Sequence, residues 1–137
     1  MVSSVAPRHP EVQVTVLRLS SEARGDLVIV SVGGELDLVT SRELDDHLTR
    51  ARRERNKIIL DLAAVEFMDT SSLAVIVGQW KRLQAAGGSL VLAGARYRYT
   101  KTLWITGLAD RLTMYDSVEA AVTADGQAAA DTASGPA

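Results

Sequence analysis

Apolar residues recur along this chain at two spacings, and the change from one to the other lays out its elements. Over residues 12–19, Val12, Val14 and Val16, with Leu17 and Leu19, are set off by Gln13, Thr15 and Arg18. A period of two marks a half-buried strand. Residues 20–25 are polar and read as a connection, and residues 27–32 are a second strand rich in β-branched side chains, so the two strands predict a hairpin. Gly33 and Gly34 end that strand. Thr40-Ser41-Arg42-Glu43 has the hydroxyl-to-carboxylate spacing of a capping box, and Leu44, Leu48 and Ala51 give the buried face of the helix it opens. Residues 58–62 and 89–93 are short, nearly continuous apolar runs, as in strands buried on both faces. Between them Leu73, Ile76, Val77, Trp80 and Leu83 recur at helical spacing, and Gly87-Gly88 stops that helix. A shorter helix is predicted over about 97–106, a strand over 112–115, and a last helix from a second capping box, Asp116 to Glu119, through Val122.

The stretch before the long helix is the most unusual. Asp69-Thr70-Ser71-Ser72 sets a carboxylate and three hydroxyls at a helix N-terminus, directly after apolar residues. Two readings fit. Asp69 or Thr70 caps the first turn, whose N–H groups lack intrahelical partners. Alternatively, one hydroxyl is presented for modification. Ala74, Val75, Gly78 and Arg82 fall off the helix's apolar stripe. They are either ordinary surface or a flat strip that receives another protein.

Order alone gives an α/β domain. After the hairpin, strands alternate with helices, which calls for a mixed, mostly parallel sheet of about five strands with about four helices. Residues 12–122 would form this domain, between a loose 1–11 and an Ala/Gly-rich 123–137 expected to be disordered. In such sheets, functional groups gather beyond the carboxyl ends of the strands. Asp37 and the elbow at 69–72 both follow strands there, so they are expected to be neighbours.

Composition removes several classes. A length of 137 residues with 47% apolar content suffices for one domain with a core. The 17 acidic and 15 basic residues leave a net charge of −2, unlike a general nucleic-acid binder. The basic run Arg50, Arg52, Arg53, Arg55 and Lys57 therefore reads as a helix C-terminus complementing its dipole. Arg96-Tyr97-Arg98-Tyr99 reads as arginines snorkelling beside aromatics rather than as a base-stacking surface. No cysteine is present, and His9 and His47 are isolated, so no metal site is expected; His47 is expected on a helix surface. Neither an export signal nor a membrane span is apparent, which makes the cytoplasm the expected location. The glycine pairs lack the lysine and spacing of a phosphate-cradling loop, so no cofactor is expected.

Several of these segments together resemble a family. Gly34-Glu35-Leu36-Asp37, the strand at 58–62, Phe67-Met68-Asp69-Thr70-Ser71-Ser72-Leu73, the Gly87-Gly88 stop and Thr106-Gly107-Leu108 resemble STAS domains, and most closely the bacterial anti-sigma factor antagonists. The resemblance implies a non-enzymatic partner switch. The unphosphorylated antagonist would bind an anti-sigma factor that is also a serine kinase of the histidine-kinase-like ATPase fold, freeing a sigma factor in transcription control or a stress response. Phosphorylation at the elbow would release it, and a serine phosphatase would reset it. Register against Asp69 and Leu73 implies Ser71 as the acceptor, with Ser72 and Thr70 as fallbacks. The implied partner surface comprises Asp37, Asp69, Thr70 and Ser72 with the helix strip Ala74, Val75, Gly78 and Arg82. The family usually has glycine after the acceptor; here Ser72 stands there, and a side chain at that point would narrow the kinase's approach. Rival readings are a STAS module of a stressosome-type scaffold or lipid-transport complex, and a sensor or enzyme using Asp37, Asp69 and Ser71.

Overall fold

A computed structural model describes residues 17–133, without the side chains of Thr102, Ala109 and 128–133. The elements run β1 (Arg18–Arg24), β2 (Leu27–Leu36), α1 (Thr40–Glu54), β3 (Lys57–Met68), α2 (Thr70–Ala85), β4 (Ser89–Ala93), α3 (Tyr97–Ile105), a 3-10 turn (Leu108–Asp110), β5 (Met114–Tyr115) and α4 (Val118–Ala133). The five strands form one sheet in sequential order; β1 pairs antiparallel with β2, and every later pair is parallel. Among the described residues, the expected mixed α/β sheet, opened by a hairpin and accompanied by four helices, is therefore what forms.

Alternation along the buried strands divides the core in two. Val28, Val30, Val32, Ile58, Leu60, Leu62, Leu90 and Leu92 face one side, against Leu44 and Leu48 of α1 and Leu73, Ile76, Trp80 and Leu83 of α2. Leu27, Ile29, Ile59 and Ala93 face the other, against Ala121 of α4, with Val118 and Val122 packed alongside. A strand covered on both faces loses the polar half of its pattern, which is why residues 58–62 read as a continuous run.

Several expectations change. Most of the strand expected at 12–19 lies outside the described residues, and the segment read as a polar connection is instead β1. It is an edge strand with most side chains exposed, so nothing forces alternation upon it. The turn is only Gly25-Asp26, between the paired Arg24 and Leu27, with Gly25 at φ +63° in the first central position. Gly33 and Gly34 do not end β2; they sit at register shifts inside it, and Arg18 lies so close over Gly33 that a Cβ would come within 2.6 Å of its Nη2. The strand expected at 58–62 runs on to Met68.

Helix starts and ends differ as well. The α1 N-cap is Val39, which makes no side-chain cap bond, so the expected box from Thr40 to Glu43 is replaced by a cap from Asp37. At α4, Ser117 Oγ accepts from Ala120 N, one residue later than expected. The last helix runs to Ala133 rather than ending at Val122, so residues 123–133 are helical where disorder was expected. Alanine is the strongest helix former and needs no large side chain to persist. Residues 134–137, like the expected loose segment at 1–11, lie outside the described residues.

Candidate functional site

The elbow is placed by two strands that end level with each other. Leu36 pairs with Met68 in the parallel ladder, and Asp69 N donates to Leu36 O at 3.1 Å, closing the ladder one step further. Asp37 and Asp69 thus leave the sheet side by side, as their positions after strands implied. Each becomes a local cap. Asp37 Oδ1 accepts from Val39 N and Thr40 N, each at 2.9 Å. Thr40 Oγ1 accepts from Asp37 N at 2.9 Å and donates to Glu35 O at 2.8 Å, which buries its hydroxyl fully bonded. The N–H of Thr40 is the chief influence holding the Asp37 carboxyl below its ordinary value; burial and the charge of Asp69 oppose it.

Asp69 caps α2 with extended backbone, φ −102° and ψ 179°. One oxygen carries the load. Asp69 Oδ1 accepts from Ser71 Oγ at 2.6 Å, Ser72 N at 3.1 Å and Ser72 Oγ at 3.1 Å. Burial pushes this carboxyl upward, but the Ser71 hydroxyl and the N–H and hydroxyl of Ser72 outweigh it, and the group is held below its usual range.

The three hydroxyls are not equivalent. Thr70 is exposed and Ser71 is half-buried, whereas Ser72 is 0% exposed. Ser72 therefore leaves the set of surface residues, both as fallback acceptor and as partner contact. Its side chain points into the protein and does not narrow an approach to Ser71. The other sequence-predicted residues lie on the surface. Ala74 and Arg82 are exposed, Val75 and Gly78 are half-buried, and the Arg82 guanidinium reaches back over Gly78, 3.8 Å from where a Cβ would stand. Ser71, Val75, Gly78 and Arg82 recur at intervals of three and four, so the strip starts at Ser71 itself.

Two features escaped the sequence reading. Leu38 and Val39, beside Asp37, are 67% and 71% exposed. Two adjacent apolar residues in a polar turn were the available signal. Gln79 is fully buried and joins α2 to α1: its Oε1 accepts from Arg52 Nε at 3.0 Å, and its Nε2 donates to Asp45 Oδ1 at 2.7 Å and Thr49 Oγ1 at 2.9 Å. A glutamine in line with Ile76, Trp80 and Leu83 was the clue.

The remaining candidates have structural partners. His47 Nε2 lies 2.6 Å from Ser21 Oγ across α1 and β1, and desolvation and then Arg50 hold its pKa down. It is half-buried rather than a free surface residue. Arg55 binds Gly25 O, and Lys57 pairs with Asp26 and Asp125. Arg98 lies over the Tyr99 ring, and the Tyr99 hydroxyl donates to Glu66 O. A cavity of about 140 Å³ between the sheet and α4 is lined by Lys57, Ser89 and Asp125, at the opposite end of the strands from the elbow. Among the described residues no group of three or more His, Asp or Glu side chains can hold a metal, and no helix is long and apolar enough to cross a membrane.

A mostly parallel α/β domain thus sets the Asp69-bonded Ser71 hydroxyl at the head of a surface strip. The chain belongs to the STAS domain family, whose model matches residues 18–121. An anti-sigma-B factor antagonist of Staphylococcus epidermidis is 33% identical over 75% of this chain and 96% of its own length. An anti-sigma F factor antagonist of Paenibacillus polymyxa is 31% identical over 78% of this chain and 93% of its own. The fold recurs in an anti-sigma factor antagonist from Mycobacterium paratuberculosis, at a TM-score of 0.72 and 23% identity, covering 80% of this chain and 93% of that one.

Proposed function

We propose that this protein is an anti-sigma factor antagonist working by partner switching in the cytoplasm. Unphosphorylated, it binds an anti-sigma factor that is also a serine kinase of the histidine-kinase-like ATPase fold, and a sigma factor is freed. The kinase transfers a phosphoryl group to Ser71: a bond forms from Oγ to the γ-phosphorus of ATP, the bond to the leaving ADP breaks, and the hydroxyl proton departs. A phosphatase restores the free serine.

The position of Ser71 carries this reading. Its hydroxyl is half-buried, held at 2.6 Å by Asp69, and heads the strip of Val75, Gly78 and Arg82. Relatives covering three quarters of the chain bear antagonist names. A phosphate adds about −1.5 to −2 charges at neutral pH, and a helix N-terminus tolerates them. The domain should stay folded and the interface should change. Asp69 and Asp37 already put negative charge there. One further like-charge contact at about 4 Å costs on the order of 1 kcal/mol in water and about 4 near a protein surface. Each 1.4 kcal/mol is about tenfold in affinity, so one phosphate can release a partner.

The test is capture from host lysate on wild-type, Ser71→Ala and Ser71→Asp baits, read by mass spectrometry together with phosphosite mapping. Wild type and Ser71→Ala should retain a histidine-kinase-like ATPase, Ser71→Asp should not, and phosphate should map to Ser71. Equal capture by all three baits would overturn the switch, and phosphate on exposed Thr70 would move the acceptor.

A further inference from the structure

We infer that Ser72 is a positioning residue: its buried hydroxyl keeps Asp69 in place as the cap of α2 when Ser71 carries a phosphate. The inference rests on the phosphorylation of Ser71 proposed above and adds how the elbow survives it.

Asp69 Oδ1 is held by three donors, and the shortest contact, 2.6 Å, comes from the hydroxyl that would be modified. Esterification removes that proton, because a phosphoserine Oγ donates nothing. It also brings a dianion beside the carboxylate that had accepted from it. Both changes drive the Asp69 side chain to turn away, which would uncap α2.

What remains is chiefly Ser72, through its N–H and its Oγ, each 3.1 Å from the same oxygen, with a smaller contribution from the Ser71 N–H. The N–H is available to any residue at this position; the hydroxyl is particular to serine or threonine. Ser72 is 0% exposed, and Asp69 Oδ1 is the acceptor its hydroxyl has among the described residues. If Asp69 left, a buried donor would lose its acceptor with no water to replace it, so leaving carries a penalty that glycine or alanine would not impose. The serine thus makes phosphorylation an electrostatic event on a rigid elbow. The phosphoryl group is displaced outward toward the strip, and the carboxylate is not displaced.

The experiment installs the phosphate independently of any kinase. Full-length protein with phosphoserine at 71, incorporated by stop-codon suppression, is compared with its unphosphorylated form in wild-type, Ser72→Ala and Ser72→Gly backgrounds. NMR reads amide hydrogen exchange at Ser72 and the carboxyl titration of Asp69. In wild type, phosphorylation should change exchange at Ser72 by no more than about twofold. In both variants the phosphorylated form should exchange at least tenfold faster, and the Asp69 midpoint should rise by about one pH unit over phosphorylated wild type, a shift that loss of packing alone would not produce. Equal exchange and equal midpoints in the phosphorylated wild type and variants would overturn the inference, as would an uncapped Asp69 in phosphorylated wild type. Should Ser72→Gly loosen the first turn of α2, Ser72→Ala decides, since alanine keeps the Cβ and the helix propensity and removes only the hydroxyl. Because the phosphate is built in, absence of phosphate on Ser71 in the host would count against the proposed switch and leave this result standing.

Discussion

Asp69 stabilises the elbow as an ionised group, and this gives a pH signature. Its carboxyl is held below the ordinary value in the folded protein. Such a group contributes stability that is fully present above the unfolded carboxylate pKa of about 3.9 and is lost as the pH falls through the lower native value. Asparagine still caps a helix but carries no charge. Asp69→Asn should therefore be less stable than wild type by about 1 kcal/mol at pH 6, with a smaller gap at pH 3, below the unfolded carboxylate value. Urea unfolding at both pH values measures this, and a gap of the same size at each would remove charge from the explanation. Among single residues, the cap at Asp69 was legible because a carboxylate at a helix start accepts from the free N–H groups of the first turn. Ser72 was not, since nothing local in Asp69-Thr70-Ser71-Ser72 says which hydroxyl turns inward; the first turn of α2 packed on the sheet decides that.

Elements that bury one face announced themselves, and elements that do not were misread. The α2 stripe and the doubly covered β3 and β4 were visible in the pattern, while the exposed edge strand β1 was taken for a loop. The alanine-rich end of α4 was taken for a disordered tail because helix propensity leaves no hydrophobic trace. The α1–α2 pair is fastened by Gln79, whose three partners Arg52, Asp45 and Thr49 all belong to α1. Gln79→Leu should keep the volume and lose the fastening, at about 1–2 kcal/mol in denaturant unfolding, toward the low end because the α1 partners can reach water. The α2–β4 junction tolerates less. A Cβ on Gly88 would stand 2.1 Å from the backbone oxygen of Asn56, so Gly88→Ala must shift main chain and should lose more than about 2 kcal/mol. A thermal midpoint unchanged in Gly88→Ala would show that this approach is looser than drawn.

At the scale of the molecule, the surface around the elbow combines two carboxylates with exposed apolar groups. Leu38 and Val39 extend that surface from Asp37. Both are exposed, so Leu38→Asp and Val39→Asp should each leave the unfolding free energy within about 0.5 kcal/mol of wild type. If the partner covers this surface, both should still cut capture of the anti-sigma factor at least tenfold. Normal capture by both variants would restrict the interface to α2.

Strand order has a consequence in time. Each strand of this sheet lies beside the one that precedes it in sequence, from β1 to β5, so no segment must wait for a distant one before it can pair. Domains begin to fold during synthesis, at roughly 5–20 residues per second. By the time Ala85 has left the ribosome, β2, β3, α1 and α2 are all present, and with them every hydrogen-bonding partner of Asp37 and Asp69. The part of the chain proposed to meet the partner is thus complete before β4, α3, β5 and α4 are made, and these are added to a nascent chain whose elbow can already be set.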